Sequence, residues 1–194
     1  VAKPTRRAHA CDLSILDAPQ VVVCGEITED LYADFRAQTA NAARDDLVVV
    51  AMTTLGGDPE VARAMAEEVR AHARSNARQR WIFLGRAVVY SAGVTFMSAF
   101  ARSDRYLSRD CRLMIHERQI HKTLEIHGPL SACMASAQAL VHEIENGMAI
   151  QDEGFADLVK DASLPLETLR LRVRDNWYLD AAEALSLGLV EGLV

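Results

Sequence analysis

The stretch "LGRAVVYSAGVTFMSAFA", Leu84 to Ala101, changes character halfway along. Its first half is rich in Val and Tyr and reads as a strand. Ser91-Ala92-Gly93 interrupts it, and small apolar residues follow in a helix-like run. A hydroxyl at such a junction has two uses. It can cap the helix by accepting from its first N–H groups. Alternatively, it can act as a nucleophile beside those N–H groups, which favour a developing negative charge. The surroundings differ from the G-x-S-x-G elbow of the α/β-hydrolases, because Val89 fills the first Gly position. The junction alone leaves both uses open.

Working outward, "VVVCGEI" and "DLVVVAMTT" are apolar runs without alternation, as expected of strands buried on both faces of a parallel sheet. Between them "TEDLYADFRAQTANAARDD" has helical spacing through Leu31, Phe35 and Gln38. "LGGDPEVARAMAEEVRAHARSN" reads as a Gly-rich turn and a helix, with Pro59 in its first turn and Val61, Met65 and Val69 on one stripe. "RWIFLG" is the next strand and "VVY" continues it to Ser91. "RLMIHE" is another, reached through the connection "SDRYLS". The alternation predicts an α/β fold of crossover units.

The last third is different. Leu130, Met134, Ala137, Val141, Ile144, Met148, Phe155 and Leu158 mark one amphipathic helix over about 129–160, roughly eight turns at 3.6 residues each. Such a length reaches beyond a compact domain and calls for a partner surface. Pro165 opens a short helix. "DAAEALSLG" closes the chain, with Asp180 and Glu183 at capping-box spacing and Gly188 at the stop. Residues 1–20, with "KPTRR" near their start, read as a loose arm, and 21–194 as one domain.

Composition narrows the function. The chain has 194 residues, 50% apolar and 25% charged, and a net charge of −6, so no basic excess attracts nucleic acid. No apolar run is long enough for a bilayer and nothing resembles a cleavable signal, so the expected location is cytoplasmic, away from membranes. Cys11, Cys24, Cys111 and Cys133 lack CxxC spacing and read as small buried hydrophobes.

Two constellations compete with Ser91. His116 ends the strand "RLMIH", and "HERQIH" is one residue too long for a zincin pair. Five residues along a helix end roughly 140° out of alignment, so His116 and His121 would not share a metal. His127 adds no ligand spacing, and no metal is expected. "TTLGGDPE" lacks the Gly-Lys-Ser/Thr of a phosphate loop. Its Gly pair can instead aim a backbone N–H into a site.

In order, the chain runs strand–Gly-Gly–helix, strand–Ser-x-Gly–helix, "RLMIH", long helix, then "RDNWYLDAAEALSLGLVEG". This order resembles the Clp protease proteolytic subunit (ClpP) family of the crotonase-like fold, over roughly residues 21–194. "GRAVVYSAGVTFMSAFA" looks like the family's segment around its nucleophilic serine. "RLMIH" is close to its histidine strand, and "WYLDAAEALSLGLV" is similar to its closing segment. The resemblance implies stacked βαβ units with a protruding handle helix. It implies a serine endopeptidase acting on peptides or unfolded proteins through an acyl-enzyme, with no metal or organic cofactor.

In that reading Ser91 is the nucleophile, His116 the general base, and the N–H groups of Gly57 and Ala92 the oxyanion hole. The third triad position falls on Asn176, where the family usually has Asp; Asp175 is the alternative. Tyr90 stands where the family usually has Ala, which implies an altered pocket beside Ser91. The implied partners are further copies of the chain in stacked rings and an ATP-driven unfoldase. The rivals are a catalytically silent ClpP-like scaffold subunit, a crotonase-type acyl-CoA enzyme, and a serine–lysine peptidase. The last would draw on Lys3, Lys122 or Lys160, none of which matches its position.

Overall fold

The computed structural model describes residues 13–42 and 45–194. Most of the basic arm, including "KPTRR" and Cys11, lies outside them. The described end of the arm is not loose. Residues Leu13–Asp17 form a 3-10 turn that buries Leu16, and Gln20 Oε1 accepts from Val49 N at 2.7 Å.

The first strands, β1 (Val21–Cys24), β2 (Leu47–Thr54) and β3 (Arg80–Tyr90), pair in parallel. Helices α1 (Glu29–Ala42) and α2 (Pro59–Ser75) make the crossovers. Successive residues of β2 and β3 feed opposite faces. Val48, Val50, Met52, Trp81 and Phe83 join the large core shared with the helices, while Val49, Ala51, Ile82 and Leu84 pack with Leu16 and Tyr106 on the other side. Both faces of β2 and of the first half of β3 are covered, which explains why these read as unbroken apolar runs. Strand β1 departs from that expectation, because Val22 and Cys24 on its other face are exposed. On α1 Phe35 is fully buried. Gln38 turns outward, where its amide accepts from Val22 N at 2.7 Å and donates to Val22 O at 3.0 Å, closing the free edge of β1.

The "SDRYLS" connection holds an extra strand, β4 (Arg105–Leu107), that was not evident in the sequence. It is three residues long, below the reach of any periodicity. Strand β3 is divided between two partners: Phe83–Gly85 pairs with β4, and Val88–Tyr90 pairs with β5 (Arg112–Ile115). Exposed Arg86 and Ala87 form the joint. Ala87 has φ 55°, and the register against β2 shifts there. The joint aims the second half of β3, which leads into Ser91, toward β5, the strand that leads to His116. A short helix α3 (Ala92–Met97) follows Ser91 at once. It is held from behind by Phe96, whose ring meets Phe35 and Phe100 edge-on at 5.5 and 5.4 Å.

After β5 the chain runs without regular structure to the long helix α4 (Leu130–Val159). The two lie side by side. Arg118 N donates to Gln151 Oε1, and Lys122 bonds Glu143. Four extended residues and eight helical ones each span roughly 12–13 Å, so the strand-like segment and the helix keep pace in opposite directions. Helix α5 (Leu166–Arg172), strand β6 (Trp177–Asp180), helix α6 (Ala181–Ser186) and strand β7 (Gly192–Leu193) complete the chain. Strand β6 is antiparallel to β5, and Asp180 and Glu183 form the capping box expected from their spacing.

The cysteines do not share one environment. Cys111 is buried, which pushes its thiol up to about 12, whereas Cys24 is exposed and Cys133 half-exposed. The sequence expectation of buried thiols therefore holds for Cys111 and fails for these two. Cys24 ends an edge strand and Cys133 lies on the helix that leaves the core. Among the described residues, no helix is long and apolar enough to cross a membrane.

Candidate active site

Ser91 occupies the N-cap position of α3 but does not cap it. Its side chain makes no bond to the helix N–H groups. Instead Ser91 Oγ lies 2.7 Å from His116 Nε2. The backbone explains the aim. Ser91 has φ 53° and ψ −116°, a conformation unfavourable for a residue with a Cβ and one that turns its hydroxyl away from the helix. Bonds on both sides hold it there. Ser91 N donates to Met114 O on β5 at 2.8 Å, and Ser91 O accepts from Val94 N at 2.9 Å.

His116 follows the end of β5, partly shielded from solvent. Its second ring nitrogen, Nδ1, lies 2.5 Å from the carbonyl oxygen of Glu117. A carbonyl can only accept, so Nδ1 carries the proton and the lone pair is on Nε2, facing Ser91. That is the tautomer in which the hydroxyl donates to the imidazole.

The Gly pair sits directly against this couple. Ile27 N donates to Gly56 O at 2.8 Å and Asp58 N donates to Ile27 O at 2.9 Å, a parallel bridge centred on Gly57. Strand alternation turns the N–H of Gly57 itself away from Ile27, and Gly57 lines the cavity that also holds Ser91, Ala92 and His116. No acceptor for the N–H of Gly57 or Ala92 occurs among the described residues. Only glycine fits here: with φ +141° at Gly57, a Cβ would fall 2.4 Å from Ile27 O.

The cavity is about 360 Å³ and runs from Ser91 between α2, α3 and α4. Ala66, Val94, Phe155 and Leu158 give it apolar walls, and Arg70 and Asp157, paired at 2.6 Å, lie at its margin. Arg118, at the mouth, donates to Glu60 Oε1 at 2.6 Å. Partial burial works to raise the Glu60 carboxyl, but the hydrogen bonds from Arg118 and Arg63 outweigh it and hold the group below the ordinary glutamate range. The pair therefore stays ionised at neutral pH and loosens only as pH falls below that range.

His116 and Asn176 each stand one residue beyond Ile115–Trp177, the last pair of the β5–β6 ladder. Asn176 is exposed, with φ 35°, and Asp175 beside it is also exposed. The Nδ1 partner is the Glu117 carbonyl, so the structure does not bring Asn176 or Asp175 into the hydrogen bond expected of a third triad member. Sequence reading had no access to this contact, because a backbone carbonyl has no residue-type signal. Tyr90 also departs from expectation. In register with Met114 and Tyr178, it lies on the face away from buried Val89, Leu113 and Leu179. There it meets the Tyr178 ring edge-on at 5.6 Å, outside the cavity. Alternation across the sheet, not pocket size, accounts for its bulk.

A sheet of parallel crossover units, a serine at a strand–helix turn, and a long helix leaving the core define an α/β protein of ClpP-like fold. The sequence model of the Clp protease family matches residues 5–194, and the chain belongs to that family. Among solved structures, an Asn-to-Asp variant of ClpP1 from Listeria monocytogenes superposes with a TM-score of 0.71 at 17% identity. The match covers 93% of this chain and 94% of that one, a likeness of fold. No curated protein matches the chain in sequence.

Proposed function

We propose that the protein is a serine endopeptidase that hydrolyses peptides or unfolded proteins through an acyl-enzyme. The observation that carries this reading is the 2.7 Å contact between Ser91 Oγ and His116 Nε2, made by a hydroxyl that caps nothing. Ser91 Oγ bonds to the scissile carbonyl carbon as its proton passes to Nε2. The oxygen, now negative, accepts from the free N–H groups of Gly57 and Ala92. When the tetrahedral centre collapses, the C–N bond breaks and the amine leaves with the proton from Nε2. Water then repeats the cycle on the acyl-enzyme, returning Ser91 and a carboxylate. In the family register Asn176 is the candidate third member. Its amide oxygen would have to take the place of the Glu117 carbonyl on Nδ1.

Family membership supports the wider reading too: stacked rings of this chain enclosing the site, substrate fed by an ATP-driven unfoldase, and a cytoplasmic location. The division into an arm over 1–20 and a peptidase domain over 21–194, with the handle at about 129–160, belongs to the same proposal. A serine–lysine mechanism finds no support at Ser91. Its partner is an imidazole, and Lys122 is occupied by Glu143.

A fluorophosphonate tests the reading directly, because Ser91 Oγ would displace fluoride from phosphorus. We expect a single adduct, mapped by mass to Ser91. Ser91→Ala should abolish labelling and peptide cleavage while leaving stability within ~1 kcal/mol, since no cap is lost. A folded protein that forms no adduct and cleaves no peptide would instead be the silent scaffold. Turnover of CoA thioesters that survives Ser91→Ala would make it an acyl-CoA enzyme.

A further inference from the structure

We infer that Gln151, on the handle helix, is a positioning residue for His116, acting through the peptide group that joins Glu117 to Arg118. The inference rests on the serine-peptidase reading and names what stands in for the third triad member. Both ends of that peptide are engaged. Its carbonyl oxygen lies 2.5 Å from His116 Nδ1, and its N–H, that of Arg118, donates to Gln151 Oε1 at 2.6 Å. The Arg118 side chain reaches the other way, to Glu60 Oε1 on α2 at 2.6 Å. The peptide is thereby slung between α2 and α4.

This anchorage matters because the chain from His116 to Gly128 has no helix or strand of its own. Without Gln151 the peptide could rotate, and a rotated carbonyl would leave Nδ1. The imidazole would then be free to hold its proton on either nitrogen, and the Nε2–H form cannot accept from Ser91. Polarisation runs the same way. An amide whose N–H is bonded presents a stronger carbonyl acceptor, so the Gln151 bond also strengthens the bond to Nδ1. The carbonyl carries no full charge and supports the imidazolium only through its dipole. Gln151 is partly exposed, so replacing it opens no core.

The test is nitrogen NMR on protein labelled only at its histidine nitrogens, with His116→Gln identifying the His116 signals. The unmodified protein should show the Nδ1–H tautomer at His116. Gln151→Met, of similar length but without an acceptor, should populate the Nε2–H form. It should also slow fluorophosphonate labelling of Ser91 roughly five- to tenfold, the effect of one net hydrogen bond. Gln151→Glu keeps an acceptor oxygen and should restore both. A Gln151→Met protein with its tautomer and labelling rate intact overturns the inference, as does a tautomer lost in Asn176→Ala but kept in Gln151→Met. If the tautomer responds to Gln151 as expected but no variant reacts with the fluorophosphonate, the positioning stands and the peptidase reading fails.

Discussion

At Gly56 the chain meets Ser91 so closely that a single methyl group would touch it. A Cβ there would lie 2.9 Å from Ser91 Cβ and 3.3 Å from its Oγ, on a backbone with φ +111°. Alanine would bring both a collision and a disfavoured conformation, and the yielding partner would be the strained serine turn. Gly56→Ala should therefore leave the circular dichroism spectrum unchanged while slowing fluorophosphonate labelling about 100-fold, the cost of roughly 1 Å of misplacement at a reacting atom. Unaltered labelling would mean that the turn tolerates the methyl and that the close approach has no catalytic part. In the sequence, the Gly pair after a buried strand already pointed to a backbone N–H aimed into a site. That the first glycine touches a serine 35 positions later is a tertiary fact with no local signal.

The handle helix was the most legible element, because its pattern is long. Leu130, Met134, Ala137, Val141, Ile144 and Met148 repeat at alternating steps of four and three, continued after Gln151 by Phe155 and Leu158. One seam has two fates. Phe155 and Leu158 are buried in the core, whereas Leu130, Met134 and Met148 are 88%, 60% and 62% exposed. At 1.5 Å per residue the helix is about 45 Å long, and its outer part has no cover among the described residues. Such a stripe needs a second surface. Light scattering on the full chain should give a mass several times 21.3 kDa, and the double variant Val141→Glu, Met148→Glu should lower it. A monomer at micromolar concentration would remove the enclosed chamber, though not the fold. Elements that sequence reading missed include β4, β7 and the 3-10 turn at Leu13–Asp17, which are three, two and five residues long. Tertiary pairing creates them, so no pattern could announce them.

Across the whole molecule, one side chain joins the parts that carry the site. Arg105, 2% exposed, donates to five carbonyls and, among the described residues, to no carboxylate. Two belong to Ser98 and Phe100 at the end of α3, two to Asp157 and Leu158 at the end of α4, and the weakest, at 3.4 Å, to Leu189. Helix C-termini expose carbonyls with partial negative charge, and a buried guanidinium with five fixed donors answers two such ends at once. Burial draws its pKa down to about 10, so it is still a cation at neutral pH. A single arginine in a short connection reads as a surface residue in the sequence, because its role exists only where the end of α4 and the Leu189 segment converge on the end of α3. Arg105→Met should remove all five bonds and strand the buried carbonyls, lowering unfolding free energy by ~3–5 kcal/mol in denaturant titrations at fixed protein concentration. Arg105→Lys, with three donors in place of five, should fall between the two. A loss under ~1 kcal/mol for the methionine variant would show that the carbonyls find other partners. Because α3 follows directly on Ser91 and α4 carries Gln151, a folded Arg105→Lys protein should also label more slowly at Ser91. Its loss would arise at both ends of the Ser91–His116 contact, from a substitution that touches neither residue.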